Sequence, residues 1–309
     1  MKVLVTGGTG YLGSAIVRAL AARGHEPVAF ARRAARAGLP GAAIDGDVRD
    51  RGGVDDAVRR VDAVCHAAAL VSLWRPNPHE FDDVNVRGVE NVLAACEARG
   101  IPRIAYTSSF LALPPAGAAH AITANDYQRT KVRARQIVLD AVRRGLPIVS
   151  LYPGVIYGPG TETEGNLIGR LVREHLEGKL AGIVGASRIW SYAYVDDVAA
   201  AHVRALEAGA AGEEFVLGGE NARQLKVFEI VRALTGRPLP RQIPYPVAAA
   251  VGVVEEARAR LTGRPPLITR GAVEIFRYDW TLATGNSESR LGYRSIGLEE
   301  GLRHVMGSR

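Results

Sequence analysis

Apolar positions in the first half of the chain come as short runs, alternating with stretches where they recur every three or four residues. The runs Lys2-Val3-Leu4-Val5, Pro27 to Ala31, Ala42 to Asp45, Val61 to His66, Arg103 to Thr107 and Ile148 to Leu151 read as six buried strands. Between them, Leu12, Ile16, Val17 and Leu20 fall at helical spacing, and helices are expected over Asp50 to Arg60, His79 to Arg99 and Asn125 to Arg144. Strand and helix therefore alternate. That order predicts an α/β fold, a doubly wound parallel sheet with helices on both faces and right-handed crossovers. Ligands of such sheets sit beyond the carboxyl ends of the strands, where Gly7, Asp47, Ala67, Ser108 and Pro153 all fall.

The first strand runs into Thr6-Gly7-Gly8-Thr9-Gly10-Tyr11-Leu12-Gly13, which leads into the first helix. Glycine there lets the chain turn sharply and approach a pyrophosphate, whose charge the free amides and positive end of the helix would bind. Strand, glycines and helix in that order predict a Rossmann-type dinucleotide site. Farther along, Tyr127 and Lys131 stand four residues apart on one face of the expected Asn125 to Arg144 helix. Without other motifs this pair would be an ordinary helix face; beside a dinucleotide site it supplies a proton donor next to a positive charge. At the end of the second strand the chain has Arg32-Arg33 and no acid. An acid would bind the ribose 2′-hydroxyl of NAD, whereas arginine suits the 2′-phosphate of NADP, so NADP is preferred and NAD stays open.

From Pro153 onward glycine and proline become frequent, and helical stretches at Leu167 to Glu177 and Pro246 to Leu261 are separated by irregular segments. The expected division is a dinucleotide-binding domain over 1–152 and a smaller C-terminal substrate lobe over 153–309, part of 192–230 returning to the first domain. With 309 residues, 47% hydrophobic and 23% charged, the chain has the composition of a globular protein with a large core. Its net charge of +7 is scattered, with Arg32, Arg33 and Arg36 the tightest cluster, and the aromatic content is 6%; neither points to nucleic acid. The uncharged stretch from Ile104 to Asn125 contains Thr107, Ser108, Ser109, Pro114, Pro115 and His120, and the run Val247 to Val254 is too short to span a bilayer, so no membrane partner is expected. That run reads as a packed helix or a subunit contact, which leaves a homodimer open. Cys65 and Cys96 lie in apolar contexts and fit a reduced, cytoplasmic protein, and the seven histidines form no ligand pair, so no metal is expected.

Further ordered motifs follow: Gly46-Asp47-Val48, His66-Ala67-Ala68-Ala69, Thr107-Ser108-Ser109, Tyr152-Pro153-Gly154-Val155-Ile156-Tyr157-Gly158 and Tyr194-Val195-Asp196-Asp197-Val198. Together with the glycine turn and Tyr127/Lys131 they make the chain resemble, over nearly its full length, an extended short-chain dehydrogenase/reductase of the NAD-dependent epimerase/dehydratase superfamily, dihydroflavonol-4-reductase-like. The resemblance implies that Tyr127 exchanges a proton with a substrate carbonyl oxygen that Ser109 holds. Lys131 would lower the pKa of Tyr127 and bind the nicotinamide ribose. It implies a cofactor wall of Gly7, Thr9, Gly10, Tyr11, Leu12, Gly13, Asp47 and Val48 at the adenine, Ala67, Ala68, Ala69, Ser108, Tyr152, Pro153 and Val155.

Phe110, Leu111 and Leu113 follow the serine directly and are expected to wall an apolar side of the substrate pocket. Family dehydratases carry acids after the serine, so dehydration is disfavoured. The expected activity is NADP-dependent reduction of a small-molecule ketone or aldehyde. An NAD-dependent nucleotide-sugar epimerase and a non-catalytic dinucleotide-binding regulator remain as alternatives.

Overall fold

The computed structural model describes residues 1–160 and 163–307. The six expected runs become β1 (Lys2–Thr6), β2 (Glu26–Ala31), β3 (Ala42–Asp45), β4 (Ala63–His66), β5 (Ile104–Thr107) and β6 (Ile148–Pro153). Four more strands follow: β7 (Val155–Tyr157), β8 (Ile189–Tyr194), β9 (Glu214–Leu217) and β10 (Glu220–Arg223). The larger sheet has the order β3-β2-β1-β4-β5-β6-β9, and every adjacent pair is parallel. Order reverses between β1 and β4, so the glycine turn after β1 opens at the switch point where such sheets bind ligands.

The helices are α1 (Tyr11–Ala22), α2 (Arg51–Val58), α3 (His79–Asp82), α4 (Gly88–Arg99), α5 (Asp126–Arg143), α6 (Leu167–Leu176), α7 (Val195–Ala208), α8 (Gln224–Thr235), α9 (Tyr245–Thr262), α10 (Arg270–Ile275), α11 (Gly285–Leu291) and α12 (Leu298–Gly307). On one face of the sheet, Ile16, Val17 and Leu20 of α1 share a core with Val198, Val203 and Leu206 of α7. On the other, Val54, Val92, Leu93 and Val138 pack from α2, α4 and α5. Both faces of the strands are thus buried, which explains why they read as unbroken apolar runs.

The expected helix over 79–99 is not regular. Between α3 and α4 the chain makes one π-helical turn at Asp83–Arg87. Such bulges shift the side chains that follow them and concentrate at functional sites.

After β6 the chain leaves the large sheet. β7 pairs parallel and β10 antiparallel with β8 in a three-stranded sheet, while β9 pairs with β6, Leu151 opposite Phe215. The small sheet packs into a separate aromatic core that includes Tyr157, Trp190, Tyr192, Phe228 and Trp280. Aromatic side chains bury large areas, and their edge-to-face contacts add specificity to that packing.

Candidate active site

Gly7 ends β1 with φ of 69°, its amide donating to the Phe30 carbonyl at 2.8 Å. A Cβ on Gly13 would lie 2.1 Å from the Gly7 carbonyl oxygen, and one on Gly7 2.7 Å from the Ala68 Cα. Larger residues would collide with the protein's own backbone and open the turn. Gly10 caps α1 with no side chain on its amides, which leaves the helix N-terminus open to an anion. The turn therefore fits a dinucleotide.

Thr9 and Leu12 flank that turn, but Tyr11 has a second task. Its buried hydroxyl donates to the Gly158 carbonyl at 2.9 Å, tying the turn to the chain after β7. Opposite the turn, Ala67 donates to the Thr6 carbonyl at 3.1 Å and Ala68 to Thr6 Oγ1 at 3.3 Å, fixing the path of Ala67-Ala68-Ala69. His66 Nδ1 lies 2.7 Å from the same hydroxyl, and burial pushes the imidazole down to about 3, so it is neutral.

Arg32 and Arg33 are exposed after β2 and form no ion pair among the described residues. Asp47, across from them, is already held: Arg49 Nη2 reaches its carboxylate at 2.7 Å and keeps it ionised well below the usual range. Val48 is buried, against Gly88, where a Cβ would come within 2.8 Å of it.

Ser108, Ser109 and Lys131 gather beyond β5. The Ser108 hydroxyl is buried with no hydrogen-bond partner, the kind of group a bound molecule completes. Ser109 accepts from the Leu111 amide at 3.2 Å and is near enough to Tyr127 to pull that phenol's pKa down. Burial outweighs this and pushes Tyr127 up to about 12. Lys131 is 3% exposed, donates to the Thr107 carbonyl at 3.3 Å and is pushed down to about 8 by burial. Burial dominates both groups, and Ser109 is the neighbour that opposes it at the phenol. Tyr127 holds its proton at neutral pH.

Supporting residues around this group gave no motif in the sequence. Asn85, placed by the π-turn, accepts from the Leu70 amide at 2.7 Å and donates to Thr130 Oγ1 at 3.1 Å. It clamps the loop after β4 to the helix that carries Tyr127. Gln128, fully buried, donates to the Leu111 carbonyl at 3.3 Å and accepts from the Ala124 amide at 3.0 Å, which closes the other side. His202 Nδ1 donates to the Val198 carbonyl at 2.7 Å, so its Nε2 accepts from Thr107 Oγ1 at 2.9 Å. The only signal available beforehand was polar residues inside apolar helical stretches.

Other expected site residues make contacts within the protein. Phe110 is 7% exposed, and its ring meets Trp280 edge-on at 5.3 Å and Trp190 at 6.3 Å. Leu111 is buried in the same aromatic core, while Leu113 is half-buried. Tyr152, expected at the cofactor, gives its hydroxyl to Glu214 and accepts from Arg135 Nε at 3.0 Å. Pro153 closes β6, and Val155 is buried in the lobe core. A cavity of about 300 Å³ lies at the amino ends of β5 and β6, beside Arg103 and Pro147, and another of about 290 Å³ is lined by Gly158, Asn166 and Arg170. Neither is lined by Ser109, Tyr127 or Lys131.

No group of three or more His, Cys, Asp or Glu among the described residues is arranged to hold a metal, and no described helix is long and apolar enough to cross a membrane.

The family model for the NAD dependent epimerase/dehydratase family matches residues 3–218. The chain is 34% identical to a 2-alkyl-3-oxoalkanoate reductase of Stenotrophomonas maltophilia, covering 100% of this chain and 99% of the relative. It is 33% identical to sterol demethylase protein B of Methylococcus capsulatus over 84% of this chain and 83% of that one. A solved structure, gox2253, superposes with a TM-score of 0.83 at 28% identity, covering 99% of this chain and 96% of its own. Glycine turn, switch-point sheet and matched length together place the chain in the NAD dependent epimerase/dehydratase family of extended short-chain dehydrogenases/reductases, as an NAD(P)-dependent oxidoreductase.

Proposed function

We propose that this protein reduces a ketone or aldehyde at the expense of NADPH, with Tyr127 as the proton donor. The observation that carries this reading is the half-buried phenol of Tyr127 beside the buried Ser109 hydroxyl, with Lys131 one turn along the same helix. A bound nicotinamide supplies the hydride. Ser109 orients the carbonyl oxygen, and Tyr127 delivers its proton to that oxygen as negative charge develops there. Lys131 spends one of its three hydrogens on Thr107 and keeps the others for the cofactor ribose. Asn85 and Gln128 hold the loops on either side, keeping water out and the phenol in place. The full-length likeness to a 2-alkyl-3-oxoalkanoate reductase supports a carbonyl compound with an apolar body.

Arg32 and Arg33 support NADPH over NADH, because both side chains are exposed and form no ion pair among the described residues, and the nearby Asp47 is already held by Arg49. Arg32→Asp should lower NADPH affinity by roughly one to two decades, the value of a charge-assisted hydrogen bond of about 1.5 to 3 kcal/mol, and NADH affinity much less. Fluorescence titration with both cofactors measures this. Equal losses would return NAD as the cofactor.

The acidity constants set a pH profile. Lys131 is protonated below about 8 and loses its charge above it, whereas Tyr127 keeps its proton to about 12. Reduction should therefore be flat near neutrality and fall above pH about 8 as the ammonium is lost, with NADPH affinity falling in parallel. In Lys131→Met both quantities should be low and the alkaline limb absent. A limb that survives in that variant would assign the titration to another group.

A further inference from the structure

Helix α9 packs on the lobe through Ala248, Gly252 and Ala259, with Gly252 so close to the backbone of Thr269 and Arg270 that a Cβ would sit 3.1 Å from the Arg270 amide. Its opposite face is uncovered. Val247, Val251, Val253, Val254 and Leu261 are all exposed, the last two at 66% and 89%. Leu267, on the loop after the helix, is 83% exposed. Of nine exposed large hydrophobic residues among those described, six fall in this stretch of 21 residues. On a helical projection Pro246, Val247, Ala250, Val254, Ala257 and Leu261 form one continuous stripe without a charge.

The charges around the stripe are sorted. Residues 237–270 contain six arginines and two glutamates. Both glutamates turn inward: Glu255 binds Arg258 at 2.7 Å and the Leu267 amide at 2.9 Å, and Glu256 binds Arg270 at 2.9 Å. These bonds fold the 263–267 loop back along the helix and set Leu267 beside it. Arg237, Arg241, Arg260 and Arg264 stay exposed and form no ion pair among the described residues. Arg260 and Arg264 stand at the C-terminal end of the apolar stripe.

We propose that α9 and the loop after it dock the protein on an anionic phospholipid surface, the helix lying in the interface plane. Valines and leucines would enter the acyl boundary while Arg260 and Arg264 meet headgroup phosphates. The charge distribution selects this occupant over a second copy of the chain. A second α9 would offer no exposed acid to Arg260 and Arg264, because both glutamates of the helix are already held by Arg258 and Arg270. Nothing here spans the bilayer, and the expectation of no membrane partner, which rested on the length of the apolar run, addressed spanning only.

The test is co-sedimentation of the full chain with vesicles of phosphatidylcholine alone or mixed with phosphatidylglycerol. Binding should require the anionic lipid and weaken as salt rises from about 0.05 to about 0.5 M. Val254→Asp combined with Leu261→Asp should reduce the bound fraction about 10- to 100-fold with unchanged melting and NADPH affinity, since both side chains are exposed and far in sequence from the cofactor turn. Arg260→Glu with Arg264→Glu should weaken binding to anionic vesicles while preserving the fold. No binding to anionic vesicles, or equal binding to neutral ones, overturns the proposal. So does a dimer in sedimentation velocity that the aspartate variant splits, because the face would then belong to a second copy.

Discussion

Tyr127→Phe is expected to cut turnover by roughly 10²- to 10⁴-fold while leaving NADPH affinity nearly unchanged. The substitution removes one hydroxyl and keeps the ring that packs against the lobe core. Ser109 is a weaker acid than the phenol, and His66 is neutral and held by Thr6. Single-turnover kinetics with saturating NADPH isolates the step. A variant that reduces substrate at the parent rate would make the phenol structural.

Phe110→Ala should destabilise the protein by about 3 to 5 kcal/mol, the usual cost of deleting a fully packed aromatic ring. Phe110 meets both Trp190 and Trp280, and the neighbouring contact of Trp190 with Phe276, stacked at 5.0 Å, leaves little room for collapse into the gap. Denaturant unfolding followed by tryptophan fluorescence reads the change directly. Were Phe110 a substrate contact instead, its loss would raise KM and leave the unfolding midpoint where it was.

The sheet was legible because its strands are buried on both faces, so each of the first six appears as an uninterrupted apolar run bounded by turn residues. The glycine turn was legible for a different reason: Gly7 and Gly13 stand where a Cβ collides with backbone, a constraint that only sequence can satisfy. The later strands carried no comparable signal. β10, Glu220–Arg223, is a polar edge strand, and β9 is four residues that join the large sheet only after the chain has crossed it through α7. Their pairing is a long-range property.

At the candidate site the same division holds. Tyr127, Lys131 and Ser109 belong to recognisable spacings, whereas Asn85 acquires its position from a π-turn that no local pattern announces. Phe110 and Leu111 were apolar and adjacent to the serine, which suits a pocket wall and a core equally. The tryptophans that decide between them, Trp190 and Trp280, lie 80 and 170 residues farther along the chain. The acidity of Tyr127 could not be read from its distance in sequence to Lys131, because burial, which needs the whole fold, exceeds the influence of any neighbour.

The central claim is net reduction of a carbonyl compound by NADPH, and steady-state NADPH oxidation against a panel of apolar ketones and aldehydes, with nucleotide sugars alongside, tests it most directly. The account predicts stoichiometric NADPH consumption with an apolar carbonyl substrate, slower turnover with NADH, and loss of both in Tyr127→Phe. Epimerisation of a nucleotide sugar without net NADPH consumption, with every ketone and aldehyde inert, would contradict it.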